Sequence, residues 1–157
     1  HHINSDKKEQ NDQLRAKKIG IVYQQNNLLP DFTSLENIYL ASLSINNNKN
    51  LAISKAIQLL QKIGLSSRAD HYPSQLSGGE AQRIAIARAI INDPEIILAD
   101  EPTGSLDMRT AKDIFNLLRD QKRSDRLIIF ATHNRFFGKK ADCLLEMKDG
   151  NIKSSNG

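Results

Sequence analysis

Cysteine is almost missing from this 157-residue chain: Cys143 stands alone. That rules out an internal disulfide framework and fits a reducing compartment. Long apolar runs are missing too. The longest are four or five residues, such as Ile96–Ala99, against the ~20 that a membrane-spanning helix needs. The stretch from His1 to Asp12 is polar, so no signal peptide is expected. A strong excess of one charge is also absent. The formal net charge is +4, and residues 1–20 and 135–157 each carry five basic and three acidic side chains, while the stretch between holds twelve of each. With no basic stripe and no aromatic platform, nucleic acid is not an expected partner; the basic ends read as solvated surface. The hydrophobic share of 39% and the charged share of 25% are those of a globular chain and exclude disorder.

What is present reads as alternating elements. Lys18–Tyr23 is a short β-branched run and predicts a strand. Thr33 and Glu36 have capping-box spacing before Leu35, Ile38, Tyr39 and Ser42 at helical spacing. A second helix is expected over Leu51–Ile63, with Ile53, Ile57, Leu60 and Ile63 on one side and Gly64 as its C-terminal cap. A third runs from Gly78 to Ile91 behind Ser77 as N-cap and is apolar nearly all round, so it should be buried. Glu95–Asp100 and Arg126–Thr132 are near-continuous apolar runs that suit strands covered on both faces. A helix from about Met108 to Lys122 between them makes a βαβ crossover and requires parallel strands. A short helix over 134–140, a strand over Cys143–Met147 with a buried thiol, and a turn at Asp149-Gly150 complete the pattern. The fold class is α/β, a mostly parallel sheet with an all-helical insertion over residues 31–92. The remainder of the core comes from 18–30 and 93–153.

Three places carry chemistry. Ser77-Gly78-Gly79-Glu80 opens a buried helix, where free N–H groups and the helix dipole attract an anion; taken alone, it equally fits a flexible loop with a serine cap. The strand Ile96–Ala99 runs into Asp100 and Glu101. In an open α/β sheet ligands bind beyond the strand ends, so one carboxylate there can hold Mg²⁺ and the next can deprotonate a water; alone, they are equally two solvated acids. His133 follows the neighbouring strand, where a histidine is more often structural than catalytic, and Gln24 follows the first.

Their order resembles the ATP-binding domain of ABC transporters over about Lys18–Lys153. LSGGEAQRIAIARAI is similar to the family signature with its helix, and IILADEPTGSLD to the Walker B strand, catalytic glutamate and D-loop. VYQQNNLLPDFTSLENI and ADEPTGSLD look like the lipoprotein-releasing, macrolide-exporting and cell-division subgroup. The resemblance implies a P-loop NTPase-like fold with ATP and Mg²⁺ as cofactors. Gln24 is then the glutamine-loop residue, touching Mg²⁺ or water. Ser77, Gly78, Gly79 and Glu80 form the signature tip against the γ-phosphate held by a second subunit. Asp100 holds the metal, Glu101 is the general base, Asp107 lies in the D-loop at the dimer interface, and His133 is the switch histidine. The chemistry is phosphoryl transfer to water. The implied partners are membrane permease subunits and a second ATPase subunit, at the cytoplasmic face of the inner membrane. Ala81, Ser105 and Asn134 depart from the usual family residues without touching phosphate or metal.

One family element is absent. None of the eight glycines opens a G-x-x-x-x-G-K-[ST] phosphate cradle, which in the family precedes the glutamine loop. The chain therefore reads as an ABC ATPase domain without its N-terminal portion, inactive by itself. The family also implies a cradle strand beside the Walker B strand; without it, buried strands with unpaired edges and marginal stability of the chain are expected. The alternative reading is a non-catalytic remnant that lends only its signature to an intact partner. A soluble ABC ATPase of DNA repair or translation fits less well, since neither a coiled-coil insertion nor tandem domains are seen.

Overall fold

The computed structural model describes residues 8–45 and 47–155. A helix the polar composition did not announce, α1 (Lys8–Lys18), leads directly into β1 (Ile19–Val22). After an irregular loop comes α2 (Ser34–Leu43), opened by the expected capping box: Glu36 N–H donates to Thr33 Oγ1 at 3.3 Å and Thr33 N–H to Glu36 Oε2 at 2.8 Å. The next helix, α3 (Lys49–Lys62), starts two residues earlier than expected because Asn48 supplies its cap. It stops at Gly64, whose φ of +71° is open to glycine. Gly64 N–H donates to the Gln61 carbonyl and Leu65 N–H to the Leu60 carbonyl, the paired closure of a Schellman motif.

The buried side of α3 differs from the expected one. Ala52, Ala56 and Leu60 face inward, with Ile63 at the end, while Ile57 is 52% exposed. One residue along a helix is a turn of about 100°, enough to move Ile57 off the core. Alanines at the contact let α2 come close, and the closest approach decided the side.

The helix α4 (Gly78–Ile90) belongs to two cores. Ile84 and Ala87 pack with Ile38, Leu60 and Ile91 in the helical region; Ile86 packs with Val22, Ile97, Ile114 and Leu118 at the sheet. This shared duty explains why its sequence is apolar nearly all round. Contact with the sheet is tight at Gly20: a Cβ there would lie 2.3 Å from the Ala89 carbonyl oxygen.

The sheet has three parallel strands in the order β1, β2 (Ile96–Asp100), β3 (Leu127–Ala131), with α5 (Met108–Arg119) as the crossover between the last two. Ile21, Leu98 and Ile129 stand side by side, as do Val22, Ala99 and Phe130. The helices cover only the face of Val22, Ile97 and Ala99. On the other face Ile21, Leu127 and Ile129 are 40–56% exposed. The expectation of strands covered on both sides is thus corrected: an apolar run marks a strand able to be buried, and burial itself needs a second layer. The expected place of a cradle strand beside the Walker B strand is corrected: among the described residues β2 is paired on both sides, and the unpaired edges are those of β1 and β3.

Beyond the sheet, α6 (Arg135–Gly138) buries Phe137 against Phe115 and Phe130, the latter edge-on to Phe115 with ring centroids 5.5 Å apart. Phe136 stays 41% exposed. A hairpin of β4 (Leu144–Lys148) and β5 (Asn151–Ser155) follows, turning at Asp149 and Gly150 with φ of 50° and 75°, as primed turns require. Cys143 is exposed just before it, not buried, since this hairpin stands apart from the three-stranded sheet.

Candidate functional site

Parallel strands end together, so residues just beyond each C-terminal end converge whatever their separation in sequence. Here Gln24 lies two residues past β1, Asp100 ends β2, and His133 lies two past β3. The Gln24 amide reaches the loop after β2, with Nε2 3.0 Å from where a Gly104 Cβ would stand.

The two carboxylates have different situations. Asp100 is exposed, and its carboxylate makes no hydrogen bond or ion pair among the described residues. Glu101 is held: Oε1 accepts from the His133 N–H and from His133 Nδ1, both at 2.7 Å, and Oε2 accepts from Thr132 Oγ1 at 3.3 Å. An ionised carboxylate only accepts, so Nδ1 carries the proton and Nε2 faces outward. Glu101 also has a φ of 42°, a left-handed conformation that costs a side chain of order 1 kcal/mol. The bond from its N–H to the Ala131 carbonyl and that from Gly104 N–H to its own carbonyl hold it there.

The signature tip is a second assembly. Ser77 caps α4, and Glu80 returns its carboxylate to the Ser77 N–H at 2.8 Å while Arg68 Nε donates to its other oxygen at 2.9 Å. The Arg68 hydrogen bond, with those from Ser77, lowers the Glu80 pKa to about 2. Glu80 therefore holds the tip's shape from inside. Gly79 has an internal reason to be glycine: a Cβ there would lie 2.5 Å from the Thr110 methyl. Gly78 has only Leu106 near it, at 3.4 Å. Asp107 caps α5, accepting from Arg109 N–H, Thr110 N–H and Thr110 Oγ1, chiefly the last of which lowers its pKa. The structure thus gathers Gln24, Asp100, Glu101 and His133 at the strand ends and sets Ser77–Glu80 beside Asp107. No hydrogen bond or ion pair among the described residues joins the tip to Asp100, Glu101 or His133.

Sequence reading overlooked the residues that hold these groups. Arg68, Thr132, Asn37, Gln82 and Arg88 were not singled out. Gln82 and Arg88 did leave a signal: with Glu80 and Arg83 they are the polar positions of a largely apolar helix, and a buried polar group must find a partner. Gln82 is 3% exposed and donates to the Tyr23 carbonyl.

Metal fit follows from the donor set. Among the described residues no three His, Cys, Asp or Glu side chains cluster as a metal cage. Mg²⁺ does not need one; it takes one or two protein oxygens plus phosphates and waters. An unengaged Asp100 carboxylate at the end of β2, with Gln24 just past the end of the neighbouring β1, suits that habit.

A parallel sheet with an inserted helical layer and acids at the strand ends fits a P-loop NTPase-like α/β domain. The sequence model of the ABC transporter family matches residues 1–104. The chain belongs to that family. It is similar to the lipoprotein-releasing system ATP-binding protein LolD of Xanthomonas oryzae pv. oryzae, 43% identical over 145 residues, covering 92% of this chain and 59% of that protein. The Xanthomonas campestris pv. campestris protein of the same name is also 43% identical, over 141 residues, covering 89% and 59%. The chain therefore spans about three-fifths of these relatives' length. Among solved structures, the dimeric post-hydrolysis state of the ATP-binding cassette MJ0796 with ADP and Pi matches with a TM-score of 0.84 at 34% identity, covering 98% of this chain and 68% of that one. A second dimeric structure of that bacterial ABC transporter cassette matches with a TM-score of 0.79 at 33% identity.

Proposed function

We propose that this chain forms the signature-bearing part of an ABC transporter ATPase subunit that powers lipoprotein release from the inner membrane. The observation that carries the reading is the strand-end cluster: a free Asp100 beside a Glu101 held by His133. Asp100 with Gln24 would hold Mg²⁺, which neutralises phosphate charge when bound. Glu101 is placed to take a proton from water. His133 orients its carboxylate through two donors. The tip at Ser77–Gly79 presents helix N–H groups to the phosphate of an ATP cradled elsewhere, because these 157 residues contain no G-x-x-x-x-G-K-[ST] cradle of their own. A second ATPase subunit and membrane permease subunits are the partners, at the cytoplasmic face. No described helix is long and apolar enough to cross a membrane.

The open sheet face and the free edges of β1 and β3 favour a part of a larger sheet over a self-sufficient remnant. The two-fifths of the relatives' length outside the match is what we assign to that face.

Purified as it stands, the chain is expected to show no Glu101-dependent ATP hydrolysis. Extended at its amino end by a cradle-bearing segment of a LolD protein, it is expected to hydrolyse ATP, and Glu101→Gln is expected to lower kcat by about 10²–10⁴-fold, the range of general-base catalysis. Glu101-dependent turnover by the unextended chain, or full turnover of the extended E101Q chain, overturns the reading.

A further inference from the structure

The loop that carries Gln24 is held from outside itself. Among the described residues, 24–28 make no backbone–backbone hydrogen bond of the turn or cap kind, and Asn27 is in a left-handed conformation with φ of 47°. What reaches this loop is a side chain of the helix that opens at the signature tip. Arg88 Nη1 donates to the Asn27 carbonyl at 2.7 Å and Nη2 to the Asn26 carbonyl at 2.8 Å. Six residues nearer the tip, Gln82 Nε2 donates to the Tyr23 carbonyl at 3.0 Å. Farther along, residues 29–33 are tied separately by Asn37, which is 1% exposed and bonds Leu29 N–H and the carbonyls of Leu29, Phe32 and Thr33.

Arg88 has no carboxylate partner among the described residues, and burial lowers its pKa from the ordinary guanidinium value. A half-buried cation served only by carbonyl oxygens depends on those oxygens staying where they are. The dependence runs both ways. Two adjacent carbonyls pointing at one guanidinium set the peptide planes on either side of Asn27, and hence the path back to Gln24. Lysine could not reproduce this, because its ammonium is a point donor where guanidinium is a planar fork.

We propose that Arg88 is a positioning residue for Gln24, setting the loop's path from the helix that also carries Ser77. The use of this placement in catalysis rests on the ATPase reading; the placement itself does not.

The test is backbone ¹⁵N relaxation and the Gln24 side-chain amide resonances of the full 157-residue chain, without nucleotide, so that failure of the ATPase reading leaves it untouched. In the unaltered chain, residues 24–28 are expected to show order parameters near the ~0.85 of rigid backbone. In Arg88→Lys and Arg88→Met they are expected to fall below ~0.6, with the Gln24 amide pair moving to free-chain positions. Residues 29–33 and the amides of β1 and α4 should stay unchanged, which a general loss of structure would not allow. A loop already below ~0.6 in the unaltered chain overturns the proposal, and so does a loop that remains rigid with lysine at 88. Should Arg88→Met not fold, the unaltered chain and the lysine variant decide.

Discussion

The helical region from Ser34 to Ile91 and the sheet beside it are closed to different degrees. In the first, α2, α3 and α4 surround one apolar cluster, and its main residues, Ile38, Ala56, Leu60 and Ile84, are essentially without exposure. In the second, α4 and α5 cover one face while Ile21, Leu127 and Ile129 on the other stand 40–56% exposed. The two regions have similarly apolar sequences. The difference is that three helices can close a core among themselves, whereas a sheet has two faces and needs a layer for each. The region bearing the signature tip is therefore self-sufficient in packing, and the region bearing Asp100 and Glu101 is not.

The largest expected effect separates the two directly. Leu60→Ala should destabilise the chain by about 2–5 kcal/mol, the cost of a cavity in a closed core. Ile129→Thr, on the open face, should change stability by about 0.5 kcal/mol or less, as surface substitutions do. Urea unfolding followed by circular dichroism measures both; equal costs would erase the distinction. Adding a covering layer to that face should then sharpen it, by making Ile129→Thr costly.

Next in size is the seam. Gly20→Ala would put a methyl 2.3 Å from the Ala89 carbonyl oxygen, against backbone that cannot rotate away. An overpacking cost of about 1–3 kcal/mol is expected. Because α4 serves both cores, amide exchange should accelerate in α3 and in β2 alike. Acceleration confined to the sheet would show that the regions unfold separately.

The smallest effect belongs to the tip. The Glu80 pKa is lowered from 4.5 to about 2, so its contribution is fully present above the unfolded value and is lost as pH falls from about 4.5 toward about 2. Partial exposure of Arg68 leaves roughly 1 kcal/mol for this linkage. Arg68→Ala should flatten the stability profile across that window and leave it unchanged near neutrality in shape. A profile equally steep without Arg68 would assign the acid sensitivity to other carboxylates.

Much of the architecture was legible beforehand because its signals are local. Thr33 with Glu36 and Ser77 with Glu80 cap their helices through residues three apart. Gly64 ends α3 through its own φ, and Asp149-Gly150 turns the hairpin. The apolar runs at 96–100 and 127–131 announced parallel strands because a helix of fixed length must connect them. The strand-end placement of Gln24, Asp100, Glu101 and His133 followed from the same rule.

What the chain's order of residues determined by itself, then, was the list of elements, their caps and the acids at the strand ends, all set by short-range geometry and by alternation of polar and apolar side chains. Tertiary structure alone decided which side of α3 is buried, since Ala56 and Ile57 are both apolar and only the closeness of α2 selects between them. It decided that Leu127, Ile129 and Cys143 face outward, since burial depends on a covering layer and not on the residue covered. And it decided that Glu101 is held by His133 and Thr132 while the Asp100 carboxylate has no partner among the described residues, and that Arg88 reaches Asn26 and Asn27 from 62 and 61 residues away. Those contacts exist only where the folded backbone brings a donor within hydrogen-bond reach of an acceptor, and no spacing along the chain encodes that distance.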